Sequence, residues 1–306
     1  MLAPDALASW IRAELGARHV ATTGQIGGSS SATIHTVRIT TVSGLEQLAV
    51  AKVFDRPHVS GADAFHHVVG EVDHLQLAHA AHLAVPQPLA FEATGDVLGA
   101  PVVVMTRLPG NPLPRPTVAG WIEGFSTTLR SIAAADVDII DLSSATSWRD
   151  PTLQRPDWFG DVALGNAAVV RVDAGLVGSR DRFIHRDFHP GNVLWHQARV
   201  SGVVDWVHAC RGPIDFDIAS CRVNLALTAG IDAAEAFTRE LGGLGVGYDR
   251  AWDVDKALSL AAYAEVLLTG NDFGAGLTLD GIRRSLVEVI RAALSDPFMR
   301  PRPSGC

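Results

Sequence analysis

His185-Arg186-Asp187-Phe188-His189-Pro190-Gly191-Asn192, followed by Gly202-Val203-Val204-Asp205-Trp206, is the stretch on which the rest of the chain is read. It sets a carboxylate (Asp187), an amide (Asn192) and a second carboxylate (Asp205) close together in sequence. Pro190-Gly191 forbids a regular helix and forces a loop between the first two. Asp205 ends the apolar run Val203-Val204, which predicts a strand terminus projecting into a cleft. The set suits phosphoryl transfer, where one carboxylate orients an acceptor hydroxyl while an amide and a second carboxylate hold the metal bridging the phosphates. His185 and His189 stand four apart, but Pro190-Gly191 breaks the helix and no Glu follows His185, so hydrogen bonds that shape the loop are preferred to zinc.

The wording resembles the aminoglycoside phosphotransferase family, kinase-like enzymes that phosphorylate small molecules, whose usual form is His-Gly-Asp-Leu-His-Pro-Gly-Asn and then Asp-Trp. Arg186 stands where that family usually has Gly, closer to the protein-kinase form, and Phe188 replaces Leu. The match continues through Gly212-Pro213-Ile214-Asp215-Phe216-Asp217-Ile218-Ala219. The resemblance implies an α+β, protein-kinase-like bilobal fold, with a small sheet-rich N-lobe (1–107) and a larger, mainly helical C-lobe (108–306). It implies Asp187 as the base, Asn192 and Asp205 as Mg²⁺ ligands, and ATP or GTP as co-substrate. It also implies that Asp217 is the buried anchor of the catalytic loop, with a plain helix N-cap as the alternative. His185 and Arg186 are expected to support the loop, Arg186 by pairing with an acidic neighbour.

Composition sets wider bounds. A hydrophobic content of 47% against 19% charged describes a packed globular chain with room for two lobes. The net charge of −8 argues against nucleic acid and fits a cationic small-molecule partner. Cys210, Cys221 and Cys306 make no disulfide framework, and no uncharged apolar run reaches the roughly 18 residues of a membrane span. With no signal-peptide pattern at the N-terminus, a cytoplasmic protein is expected. Oligomeric state is not legible.

Met1 to Gly16 reads as an amphipathic helix, with Leu7, Trp10, Ile11 and Leu15 on one face. Strands are expected over 19–25, 32–41, 48–54 and 100–106, with a helix over 62–83 closed by Pro86 and Pro88. A linker follows near 106–112, then a helix over 118–135 and an irregular connection over 141–160. Helices over 217–229, 232–241, 253–268 and 280–294 each begin with an Asp suited to capping.

Gly27-Gly28-Ser29-Ser30-Ser31 lies between two expected strands, where small residues let backbone N–H groups approach a phosphate; a flexible hairpin loop is the bland alternative. Lys52 is conspicuous inside Leu48-Ala49-Val50-Ala51-Lys52-Val53-Phe54, and must either snorkel out of the sheet or meet an anion. Its context resembles the kinase strand whose Lys contacts the phosphates, with Glu71 as ion-pair partner. Met105, Thr106 and Leu108 would then form the hinge against the base. The family often has an acidic residue where Thr106 stands, so ATP against GTP stays open. Only eleven residues separate Asp205 from Asp217, too few for a protein kinase's activation segment. A small acceptor is therefore expected, walled by helices carrying Trp121, Glu123, Tyr263, Glu265, Asp272 and Phe273. An aminoglycoside or other antibiotic is the first reading, and a hydroxylated metabolite such as an amino alcohol or sugar the alternative. A nucleotide-binding pseudokinase is disfavoured because Lys52, Asp187, Asn192 and Asp205 are all intact.

Overall fold

A computed structural model describes residues 2–296 except 28–30, 57–58, 60, 113–119, 150–151, 153–154, 263 and 266–276. The chain divides into two compact units. One comprises Met1–Gly110 with Ser201–Ala209, the other Asn111–Val200 with the described residues from Cys210 onward.

The first unit is built on an antiparallel five-stranded sheet of order β1-β2-β3-β5-β4. Its strands are β1 (His19–Ile26), β2 (Thr33–Thr40), β3 (Glu46–Val53), β4 (Pro88–Glu92) and β5 (Val102–Thr106). Helix α1 (Pro4–Glu14) lays Leu7, Trp10 and Ile11 against Val20, Val37, Ile39, Ala49, Ala51, Val53, Val102 and Val104. Burying each large side chain of this set contributes about 1.5–3 kcal/mol. Ala49, Ala51 and Val53 share one face of β3, so Lys52, one residue out of phase, projects from the other. Helix α2 (Ala62–Ala80) follows β3. Strand β4 was not expected, because Pro86 and Pro88 read only as a closure. It lies at the sheet's edge, where a proline lacking its N–H interrupts no ladder.

The second unit holds α3 (Trp121–Ala133), α4 (Val162–Asp173), α5 (Asp215–Ala229), α6 (Ile231–Gly243), α7 (Ala251–Ala262) and α8 (Leu279–Leu294). Two short antiparallel pairs accompany them: β6 (Asn111–Pro112) with β8 (Val193–His196), and β7 (Asp181–Ile184) with β10 (Cys210–Pro213). Strand β9 (Arg199–Val203) follows β8. Helix α5 is buried along all but its last residue and packs on α6, α7 and α8, and its buried polar side chains such as Arg222 and Asn224 are hydrogen-bonded.

The capping expectation fails for the four helices after the motif. Asp217, Asp232, Asp253 and Asp280 lie within the first turns, where they face the positive helix end without capping it. Thr278 caps α8 through a bond from Gly281 N, 3.1 Å. Helix α4, absent from the sequence reading, does have an Asp cap, with Asp161 accepting from Leu164 N at 3.0 Å. Among the described residues, no helix is long and apolar enough to cross a membrane.

Candidate active site

In the first unit three charged residues converge. Lys52 Nζ donates to Glu71 Oε2 and, at 2.6 Å, to Asp205 Oδ1. Burial works against the Lys52 charge, yet Asp205 and Glu71 outweigh it and hold the ammonium above its ordinary pKa. Glu71 lies on α2 and its second oxygen accepts from Trp206 N at 3.2 Å, tying the helix to the segment that carries Asp205. Trp206 is wholly buried, and its indole N–H donates to Val203 O at 2.9 Å. His74 Nδ1 bonds the Trp206 carbonyl at 2.9 Å. Two glycines allow this close approach. A Cβ on Gly70 would stand 2.9 Å from Val207 O, and one on Gly202 only 2.4 Å from Ala84 O. Asp205 itself takes a left-handed backbone, φ 69°.

Gly27 follows β1 and Ser31 precedes β2, while Gly28, Ser29 and Ser30 lie outside the described residues. Met105 is buried in β5, and Thr106 ends that strand. The Thr106 N–H donates to Gln87 O at 2.9 Å and the Arg107 N–H to Leu48 O at 3.0 Å, so both are engaged within the unit. Leu108 lies beside Gly202.

In the second unit, β7 delivers the chain into the loop 185–192 and β8 takes it away. The His185 backbone N–H donates to Asp217 Oδ2 at 2.8 Å. Burial pushes the Asp217 carboxyl up to about 7, against the pull of the His185, Arg186 and Phe188 N–H groups. The Asp187 N–H donates to His185 Nδ1 at 3.3 Å, and the Gly191 N–H to His189 Nδ1 at 3.0 Å. Phe188 is buried against Phe125, which meets Trp195 edge-on at 5.5 Å. Asn192 Nδ2 donates to Asp187 O at 3.0 Å, which leaves the amide oxygen as the end suited to a metal.

Arg186 corrects one expectation. Among the described residues it forms no ion pair, Asp187 acting on it only through space; its guanidinium stacks on Trp148, 3.9 Å from the ring centroid, and donates to Thr146 O at 2.8 Å. Its φ is 69°, a conformation that costs a side-chain-bearing residue about 1–2 kcal/mol and that glycine adopts freely. The stack and hydrogen bond offset that strain.

The Asp187 carboxylate is flanked by His189 Nε2 at 3.5 Å and Lys256 Nζ at 3.6 Å. Burial alone would raise its pKa, but His189, Lys256 and His185 together hold it well below the usual carboxylate range. It is therefore an anion at neutral pH, fitted to orient a hydroxyl. Lys256, on α7, was missed by the sequence reading. The signal was present, since a lysine among Val254, Ala257 and Leu258 poses the same question as Lys52.

The expected acceptor residues divide. Trp121 packs against Phe125 at 5.9 Å, while Glu123 and Glu265 are exposed. Tyr263, Asp272 and Phe273 lie outside the described residues. Trp148, Phe216, Trp252, Asp255 and Lys256 instead line one crevice. No three His, Cys, Asp or Glu side chains gather as a metal set among the described residues. Mg²⁺ does not require one, because it takes one or two protein oxygens and completes its octahedron with phosphate and water. The oxygens of Asn192 and Asp205 have the hardness it prefers.

The homoserine kinase of Xanthobacter autotrophicus is 29% identical over 165 residues, 50% of this chain and 50% of that protein. That of Methylorubrum populi is 30% identical over 192 residues, 58% of each. The chain thus spans about half the length of the curated relatives it matches. An aminoglycoside phosphotransferase solved with ADP and hygromycin B superposes with a TM-score of 0.61 at 17% identity, covering 95% of this chain and all of that one. A spectinomycin phosphotransferase solved with ADP and spectinomycin gives 0.60 at 13%, covering 95% and 98%. These likenesses show a kinase-like α+β fold. A model of the phosphotransferase enzyme family, APH, matches residues 29–257, and the chain belongs to that family.

Proposed function

We propose that this chain is a small-molecule kinase that moves the γ-phosphoryl group of ATP or GTP, with Mg²⁺, to a hydroxyl of its acceptor. The observation that carries the reading is Lys52, a buried lysine held between Glu71 and Asp205. A purely structural lysine needs one counter-ion. The second, Asp205, is the residue a metal would claim, which would leave Lys52 to turn to the phosphates. Asp187, ionised, orients the acceptor hydroxyl. Early proton removal is a small part of the task, because the transition state is loose. Mg²⁺, held by Asn192 and Asp205, would supply charge neutralisation on the phosphates. Lys52 adds to it, and the loop N–H groups that donate to Asp217 and to His185 Nδ1 fix where Asp187 stands. The Gly27–Ser31 loop would cover the phosphates, and Met105, Thr106 and Leu108 would border the base.

For the acceptor, similarity to homoserine kinases over half the chain supports a hydroxylated metabolite. The antibiotic reading rests on fold likeness alone. A panel of hydroxylated acceptors, run with MgATP and MgGTP separately and read as a mass gain of one phosphoryl group, tests the proposal. Asp187→Ala is expected to lose at least about a hundredfold in kcat while nucleotide still binds. Unchanged turnover in that variant would remove Asp187 from its role.

A further inference from the structure

We propose that Lys256 is a specificity-determining residue that binds a carboxylate on the acceptor, so that the substrate is a small hydroxy acid and not a polycation. The proposal rests on the kinase reading above and names its substrate class.

Lys256 lies on α7 with its side chain only 9% exposed. An ammonium is strongly hydrated, and burying one is unfavourable unless several partners replace its water. Among the described residues its one close ion pair is with Asp187, at 3.6 Å, too far for a hydrogen bond, and Asp255 acts on it only through space. Asp187 is shared with His189. The obvious neutraliser, the adjacent Asp255, is engaged elsewhere. It accepts from Ser147 Oγ at 2.8 Å through both oxygens and pairs with Arg149 at 3.9 Å. A cation with unused donors thus stands beside the carboxylate that orients the hydroxyl.

The crevice that Lys256 lines has aromatic walls in Trp148, Phe216 and Trp252. The crevice is closed as it stands and also holds the Asp255 carboxylate, so a ligand entering it would part the aromatic walls and meet the Lys256 charge beside a carboxylate already bonded to Ser147. With the hydroxyl on Asp187, a carboxylate about 2.7–2.9 Å from Nζ completes the pairing Lys256 lacks. The two groups would be joined by a short carbon chain. An amino group at that place would meet like charge at close range. The chain's overall charge of −8 favours cations at long range, but this single desolvated lysine governs the contact.

The test uses the purified full chain and MgATP. Probes are L-homoserine, L-serine, D-glycerate and 4-hydroxybutyrate, each paired with its carboxamide, and kanamycin as a polycation. At least one carboxylate is expected to beat its amide by about tenfold or more in kcat/KM. Lys256→Met is expected to shrink that preference mainly through a higher KM, and Lys256→Arg to restore part of it. Lys256→Gln serves where the Met variant does not fold. Calorimetric binding of the same pairs in the presence of a non-hydrolysable ATP analogue reads the preference without turnover. The proposal falls if amides or kanamycin are preferred throughout, or if Lys256→Met lowers kcat equally for acid and amide, which would assign the lysine to the phosphoryl group. If MgATP itself fails to bind, the kinase reading falls with it. If MgATP binds and no carboxylate does, the specificity claim falls alone.

Discussion

Lys52 shows how one side chain can be needed twice, and the two needs can be separated. Lys52→Met leaves Glu71 buried without its counter-ion, and breaking such a pair costs about 3–5 kcal/mol. Combining it with Glu71→Leu removes the stranded charge. Urea unfolding is expected to show most of the lost stability restored in the double variant. If Lys52 is the cation on the phosphates, as proposed, the double variant's kcat/KM for nucleotide is expected to stay at least about a hundredfold down. Recovery of activity with stability would make Lys52 a structural residue. At this scale the sequence named much of the candidate site. Asp187, Asn192, Asp205 and Lys52 declare themselves by being polar at positions where a loop or a buried strand gives them no other employment. Lys256 carried the same signal, a lysine among apolar neighbours, but not its partner, because Asp187 is far away in sequence and only the fold brings the two together. Arg186 misled for a related reason. A guanidinium suggests a carboxylate, whereas its stacking on Trp148 depends on an irregular stretch that no periodicity describes.

At the scale of elements, the helices of the second unit are bound by charge as well as by apolar packing. Arg222 on α5 donates through Nε to both Asp253 oxygens on α7, at 3.1 and 3.0 Å, and through Nη1 to Ala234 O on α6 at 2.7 Å. Tyr248 also donates to Asp253, at 2.7 Å. Arg222→Met is expected to destabilise by about 3–5 kcal/mol in urea melts, since Asp253 remains buried without its ion-pair partner, keeping the phenol's hydrogen bond and the more distant charge of Arg250. Asp217, at the start of α5, adds a pH dependence. Its folded pKa of about 7 lies above the roughly 3.9 of an unfolded aspartate. Between those values the folded chain holds a proton that the unfolded chain lacks. This group's contribution to stability therefore falls as pH rises through that window and levels off above it. Asp217→Asn is expected to gain on the parent between pH 5 and pH 8, by up to about 1.4 kcal/mol per unit within the window, measured by denaturant melts at both pH values. A constant difference would show that Asp217 stays ionised throughout. Most helices and the central strands follow from periodicity, as α1 does from Leu7, Trp10 and Ile11. Strand β4 and helix α4 do not, because prolines and tryptophans nearby obscure a short pattern that tertiary pairing completes.

For the molecule as a whole, the order of strands before helices foretold a sheet-built first part and a helical remainder. It did not foretell that residues 201–209 are counted with the first part. That membership arises from contacts no local pattern reports: Val203 N on Ala84 O at 2.9 Å, Ser201 Oγ on Pro109 O at 2.6 Å, and the Lys52–Asp205 pair. Ligand linkage gives a test at this scale. MgATP at a hundred times its Kd is expected to add about 2.7 kcal/mol to unfolding, seen as a rise in Tm. Replacing Mg²⁺ with EDTA is expected to remove most of that gain in the parent and little in Asp205→Ala, whose gain is small from the outset. An equal gain with and without the ion would take the metal out of nucleotide binding. The detour of the backbone also limits how this protein can be cut. A fragment ending at Gly110 would keep Lys52 and Glu71 but forfeit Asp205 and the buried indole beside it, so dissecting this chain calls for a rejoined gene in which 201–209 is grafted back onto the amino-terminal piece.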